Sequence, residues 1–206
     1  MTLEHWDQVR RRWVLYADSR QQSVDCAANP FERIPGRIFL DTNIINLIAK
    51  WPEQIFENVS VPTGLDEQTA NDVEALMHIF NTGQRADWQL VASAKTIEEV
   101  SRTTNERVRA ALLGYATEVT DLQSEESRQG RDLGRRLNNS TLLGALPDQS
   151  DRELLGNAIG MGCDVFCTRD HKTIIRKRHL LPSLPVRIVT PVEWWQSIKP
   201  WAGLWC

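Results

Sequence analysis

The chain has 206 residues, 41% of them hydrophobic and 25% charged, with a formal net charge of −3. A chain of this length buries roughly 70% of its extended surface, so a core forms without disulfides or a structural metal. The near-balanced charge excludes nucleic-acid binding by bulk basicity and leaves only local contacts.

One count stands out: Trp 8 against Tyr 2 and Phe 5, with Trp6, Trp13, Trp194, Trp195, Trp201 and Trp205 all within thirteen residues of a chain end. The basic residues divide into 19 Arg and 5 Lys, a bias that suits bidentate phosphate contacts and equally suits GC-rich codon usage. Cys26, Cys163, Cys167 and Cys206 form no CxxC pair, and the four histidines stand in no zinc-type spacing with them, so reduced thiols and a cytoplasmic setting are expected. The first residues lack the apolar run of a signal peptide, and no apolar stretch approaches the roughly 20 residues of a membrane span.

Taken in chain order, Leu3, Trp6, Val9, Trp13 and Tyr16 or Ala17 recur at three- and four-residue steps and predict an amphipathic helix. A polar, proline-containing loop follows. Ile38-Phe39-Leu40 reads as a short buried strand bounded by Pro35-Gly36, and Asp41-Thr42-Asn43 opens a helix through Ile44, Ile45, Leu47 and Ile48. Val73, Leu76, Met77 and Phe80 mark a second helix that stops near Gly83. Trp88 to Ala92 reads as a strand, and Ser93 to Val100 as the start of a helix. Val108, Leu112, Tyr115, Val119 and Leu122 alternate steps of four and three, and Arg128, Arg131, Arg135 and Arg136 follow on a polar helix ending near Asn138. Together these last two predict a helical arm.

The final third repeats the strand and helix alternation. Asp148-Gln149-Ser150-Asp151 opens a helix carrying Leu154, Leu155, Ala158 and Ile159, then Gly160 and Gly162 precede a strand over Asp164 to Cys167. Val186 to Val189 forms the last strand, and Thr190-Pro191 starts the last helix. Short strands separated by helices predict an α/β fold: three α/β/α layers around four or five mostly parallel strands, plus an N-terminal helix and the arm. The expected divisions are a helical extension over 1–36, a main α/β domain over 37–190 with helical insertions at about 52–86 and 104–147, and a Trp-rich helix and tail packed on it over 191–206.

In a parallel sheet, the turns after the strands share one edge, where ligands bind. Asp41 and Asp170 both follow strands there. The helix beginning near Asp148 starts on the same edge and brings Asp148 and Asp151, and Glu98 and Glu99 lie about two turns or less into their helix. Carboxylates gathered this way raise each other's pKa unless a cation neutralises them. Mg²⁺ or Mn²⁺, which prefers oxygen ligands and binds through a few carboxylates, waters and a substrate phosphate, is the natural partner.

Four segments then carry a family resemblance. Ile38-Phe39-Leu40-Asp41-Thr42-Asn43 resembles the opening motif of PIN-domain nucleases, and Ser93-Ala94-Lys95-Thr96-Ile97-Glu98-Glu99-Val100 is similar to their second, with Glu99 rather than Glu98 as its acid. Asp151 to Ala158 resembles the third motif. Gly162 to Asp170, an apolar strand closing on Thr168-Arg169-Asp170, resembles the fourth. The resemblance covers Arg37 to Leu47 and Trp88 to Val189. It implies that Asp41, Glu99, Asp151 and Asp170 hold Mg²⁺ or Mn²⁺ as the catalytic acids of an endoribonuclease leaving 5′-phosphate and 3′-hydroxyl ends, while Asn43 and Thr168 orient acids or water. Asp148 and Glu98 are supporting candidates. An antitoxin or other protein partner goes with the toxin branch of the family, whereas the extension, insertion and arm depart from its compact form.

Other readings of the same residues stay open. Asp41, Asp148 and Asp151 are all competent helix caps. Asp164, at the start of a strand, is expected to be structural, Cys163 and Cys167 to be core, and His171 to be a loop residue or a phosphate contact. Arg169, Lys172, Arg176, Arg131 and Arg135 would grip an RNA backbone or form a solvated face, with Lys177 and Arg178 beside them. The alternative functions are a catalytically weak RNA- or protein-binding module and a DNA-directed nuclease. The tryptophans, outside all four motifs, are expected to pack the two chain ends together, with Trp201 and Trp205 left to cover a dimer or partner surface or to stack on a base.

Overall fold

In the computed structural model, the residues described are all except 1–3, 10, 17, 84, 85, 87, 120–124, 205 and 206; the side chains of 6, 12, 119, 125–129 and 131 are also left aside. In chain order the elements are β1 (His5–Asp7), β2 (Arg12–Val14), α1 (Ser19–Ala28), β3 (Arg37–Leu40), α2 (Thr42–Lys50), α3 (Pro52–Phe56), α4 (Glu67–Gly83) and β4 (Gln89–Val91). After these come α5 (Ala94–Ser101), α6 (Glu106–Val119), α7 (Glu125–Asn138), α8 (Gln149–Gly160), β5 (Val165–Cys167), β6 (Arg187–Val189) and α9 (Pro191–Ile198). The chain divides into two compact units, one of Met1–Ile34, Trp51–Asp87 and Pro191–Cys206, the other of Pro35–Lys50 and Trp88–Thr190. The segment 52–86 therefore groups with the two chain ends and not with the sheet.

The sheet unit is α/β, as its alternation of elements predicts. Its four strands run parallel in the order β4-β3-β5-β6, with Ile38 opposite Leu90 and Val165, Phe39 opposite Phe166, and Phe166 opposite Ile188. A strand buried on both faces must be apolar throughout; accordingly Ile38, Phe39, Leu40, Phe166 and Cys167 are all 0% exposed. The Phe39 and Phe166 rings stack at 5.5 Å, with Leu143, Leu154, Leu155 and Ala158 around them. Asp164 is structural, as expected: its Oδ2 accepts the backbone N–H groups of Gly36 and Arg37. Cys163 and Cys167 are buried in the core, as expected, and burial pushes the Cys163 thiol up to about 12.

Helix α7 lies antiparallel along α8, because Gly130 and Gly134 face Gly160 and Gly156 with nothing between the backbones. A Cβ on Gly156 would stand 2.6 Å from the Gly134 Cα, and one on Gly160 2.6 Å from the Gly130 Cα. Such closeness packs the second half of α8 against α7, and there Asn157 also donates to the Ser93 hydroxyl that caps α5. Gly156→Ala should therefore destabilise the protein by roughly 1–3 kcal/mol in thermal or urea melts. The sign is diagnostic, since helix propensity alone favours alanine over glycine by about 1 kcal/mol.

The second unit corrects the N-terminal expectation. Instead of one amphipathic helix, β1 and β2 form an antiparallel hairpin in which Trp6 stands opposite Trp13. The seven-residue step fits one face of a helix and, equally, two positions paired across a turn. Here the Asp7 carboxylate accepts the Val9 N–H and starts that turn. The polar stretch read as a loop contains α1, which has no buried residue and is held by its Asp18 cap and by Asp25, which accepts Gln21 Nε2 and the Tyr16 hydroxyl.

As expected, the two ends of the chain meet. Trp195 Nε1 donates to Glu4, Lys199 pairs with Glu4 at 2.7 Å, Gln22 donates to the Pro200 carbonyl, and Trp201 Nε1 donates to the Asn29 carbonyl. Trp194 and Trp195 are buried against α4. Trp201 is thus engaged within its own unit, edge-on to Phe31; Trp205 and the Trp6 side chain lie outside the described residues. Among the described residues, no helix is long and apolar enough to cross a membrane.

Candidate active site

Because all four strands are parallel, their carboxyl ends share one edge, and the acids are built on it from the backbone upward. Asp41 follows β3 directly, with its N–H bonded to the Cys167 carbonyl, and its own carbonyl accepts the first bonds of α2. Its carboxylate, only 4% exposed, accepts from the Thr168 hydroxyl at 2.6 Å and from the Asn43 amide, both at Oδ2. The Thr168 hydroxyl in turn accepts from Asn43 Nδ2 and from the Asp170 N–H, each at 3.0 Å, and Asn43 Oδ1 accepts the Arg169 N–H. One closed network joins the ends of β3 and β5, in which every hydrogen-bonding group of Asn43 and Thr168 that reaches Asp41 is oriented by another residue.

Glu99 arrives from α5. Its two oxygens accept from the hydroxyls of Thr42 and Ser150, one at the start of α2 and the other in the first turn of α8. Asp151, also in that first turn, accepts from the Thr173 hydroxyl at 2.7 Å, and the same hydroxyl touches Asp170. Asp170 caps the short π turn His171–Ile175, accepting the N–H groups of Lys172 and Thr173.

The electrostatics follow from this crowding. Burial pushes the Asp41 carboxyl up to about 7, against the lowering influence of the Thr168 hydroxyl, and the negative charges of Asp151 and Glu99 push it further the same way. Burial also pushes Asp151 up, to about 6, with Asp148, Asp170 and Glu99 adding to it and Thr173 opposing. Four of the acids named from sequence are thus linked by charge, Asp41 to Asp151 and Glu99, and Asp151 to Glu99 and Asp170.

The supporting candidates fall differently. Asp148 is the α8 cap, accepting the Ser150 N–H at 2.7 Å, and contributes charge to the cluster. Glu98 is not brought to the acids: its exposed side chain pairs with Arg102 and Lys95 on the outer face of α5. Of the cations, Lys172, Arg176 and Arg135 are exposed and Arg169 is half-buried, while the Arg131 side chain lies outside the described residues. His171 is half-buried, with its Nε2 enclosed and without a hydrogen-bond partner.

The residues that sequence reasoning did not place in the site are its hydroxyls, Thr42, Ser150 and Thr173. Each holds a carboxylate far away in sequence or on another turn, so nothing in local spacing marks them. Their expected effect is that of groups that orient ligands: Thr173→Val and Ser150→Ala should each cost about 10–100-fold in activity or metal affinity. Melting temperature should change little, and Thr173→Ser should retain most of the function.

Among the described residues, no three His, Cys, Asp or Glu side chains are gathered tightly enough to cage an ion by themselves; hydroxyls stand between the carboxylates instead. The donor set nonetheless suits a hard divalent cation of the Mg²⁺ kind, which keeps several waters and takes one or two carboxylates together with substrate phosphate. Mutually repelling oxygen donors, two of them with raised pKa values, gain from such an ion. Set against known proteins, the chain matches no family model, no curated protein and no solved structure.

Proposed function

We propose that the chain is a divalent-cation-dependent nuclease with a PIN-like α/β/α core that hydrolyses RNA phosphodiesters. The observation that supports it most is the meeting of Asp41, Glu99, Asp151 and Asp170 at one sheet edge from four distant chain positions, with the buried Asp41 held by Asn43 and Thr168. Helix capping accounts for Asp148 and Asp170 singly. It does not account for Glu99, which caps nothing and reaches across to the starts of α2 and α8.

Asp41, Glu99, Asp151 and Asp170 would hold Mg²⁺ or Mn²⁺. Such an ion, when bound, activates a water for attack on the phosphodiester and stabilises the leaving oxygen. The protein's own contribution is orientation: Thr42 and Ser150 fix Glu99, Thr173 fixes Asp151 beside Asp170, and the Asn43–Thr168 pair fixes Asp41. Arg169, Lys172, Arg176 and Arg135 supply phosphate contacts without a broadly basic surface, in keeping with the net charge of −3. Such an activity would suit an RNA-cutting toxin or defence effector.

The test is incubation of varied single-stranded and structured RNA with Mn²⁺ or with chelator. Cleavage that needs the ion and leaves 5′-phosphate ends is expected. Cutting of single-stranded DNA alone would move the substrate to DNA. Intact RNA and DNA under all conditions would leave a binding module in place of the enzyme.

A further inference from the structure

Helices α5 and α8 each carry part of the proposed cation site, Glu99 on one and Asp151 on the other, and three polar contacts fasten them together. At the level of the acids, the Ser150 hydroxyl donates to Glu99. One turn away, Lys95 Nζ lies 3.6 Å from Glu153 Oε2. Beyond that, Asn157 Nδ2 donates at 3.0 Å to the hydroxyl of Ser93, the α5 cap, and both residues are fully buried. Glu99 meets Ser150, Lys95 meets Glu153 and Ser93 meets Asn157, so the two helices run in opposite directions with these faces in register. The spacings agree: Lys95 and Glu99 are four apart on α5, and Ser150, Glu153 and Asn157 follow at steps of three and four on α8.

The middle contact is an odd choice for stability alone. The Lys95 and Glu153 side chains are only 14% and 19% exposed. A pair so withdrawn from water regains in attraction little more than its desolvation costs, and an apolar pair would serve the fold as well. What the ion pair adds is a charged head on each helix that must meet the other, which holds the helices at one axial offset. Lys95 also reaches Glu98 at 3.5 Å, but that carboxylate is half-exposed and on its own helix, so the contact fixes nothing between α5 and α8. The offset matters to the acids. A slip of one residue along either helix is about 1.5 Å, and a hard cation such as Mg²⁺ demands oxygens at about 2.0–2.1 Å in near-ideal geometry.

We propose that the Lys95–Glu153 pair is a positioning device for the cation site: by locking α5 against α8 it sets the separation of Glu99 from Asp151, and with it the affinity for the divalent ion. The proposal rests on the metal-dependent reading of the acids. The sign of the effect separates positioning from a direct influence of charge. Lys95 is a positive charge one turn from a ligand of the cation, so by Coulomb attraction and repulsion alone its removal tightens Mn²⁺ binding. Positioning predicts the opposite.

Calorimetric titration of Mn²⁺ into the chelator-treated full chain tests it, with the wild type, Lys95→Met and the double variant Lys95→Met with Glu153→Leu compared. Binding should weaken about tenfold in Lys95→Met, and by a similar factor in the double variant, because the pair acts as a unit. The double variant keeps the net charge and leaves no unpaired charge behind, so it should melt near the wild-type temperature, and its loss of affinity is one of position. Affinity equal to or tighter than wild type in the folded double variant would overturn the proposal and leave the cation site standing. No uptake by the wild type would overturn the site and the proposal with it.

Discussion

Asp41→Asn is expected to lose at least about a hundredfold in divalent-dependent RNA cleavage, since even the partners that orient a metal ligand cost 10–100-fold when removed. The same change should make the metal-free protein more stable at pH 8. The two effects have one origin. Asp41 is buried and faces Asp151 and Glu99, so its ionised form costs the fold stability that the proposed cation would restore. An Asn side chain keeps an acceptor oxygen for the Thr168 hydroxyl and removes the charge. A residue serving only as a helix cap gives a different result, with little change in activity and a small loss or no change in stability. Glu98→Gln is the internal control: its carboxylate lies on the outer face of α5 with Arg102, and cleavage should be unaffected.

The second large effect is the pH dependence of stability in the absence of divalent ions. The folded Asp41 carboxyl is pushed up to about 7 from an ordinary 3.8. A raised folded pKa means that the native state binds the proton more tightly than the unfolded chain does. Its stabilising influence is complete below about pH 4 and disappears as the pH rises through about 7. From this group alone, the loss between those limits is about 4 kcal/mol. Asp151, pushed to about 6, acts in the same direction and counts for less because it is more exposed. Urea melts in chelator should therefore weaken from pH 5 to pH 8, and Mg²⁺ should restore stability at pH 8 far more than at pH 5. Stability in chelator that rises steadily over this range would mean that the acids are solvated and independent.

Much of this site is legible before any coordinates. Ile38-Phe39-Leu40 is an uninterrupted apolar run ending in a capping residue, so both the buried strand and the position of Asp41 at its carboxyl end follow from periodicity and chain direction. The same logic places Asp170 and Asp151. What sequence conceals is whatever depends on two distant segments meeting. The hydroxyls of Thr42 and Ser150 serve Glu99 across 57 and 51 residues, and neither position differs locally from an ordinary cap. Gly130, Gly134, Gly156 and Gly160 show four-residue spacing, but they mean close helix contact only once α7 and α8 are known to face each other. At the N-terminus, the apolar steps of Leu3, Trp6, Val9 and Trp13 suit a helix. The pairing of Trp6 with Trp13 suits a hairpin, and tertiary packing decides between them. Helix α1 buries nothing, so a reading based on apolar periodicity has no signal there.

The most direct test of the central claim is calorimetric titration of Mn²⁺ into the chelator-treated protein near pH 7, repeated in buffers of different ionisation enthalpy. The account predicts uptake by the wild type with release of protons, because acids with raised pKa values must ionise to ligate, and a loss of at least about tenfold in affinity in Asp41→Asn. No uptake at millimolar Mn²⁺, or equal uptake by wild type and Asp41→Asn, would contradict it.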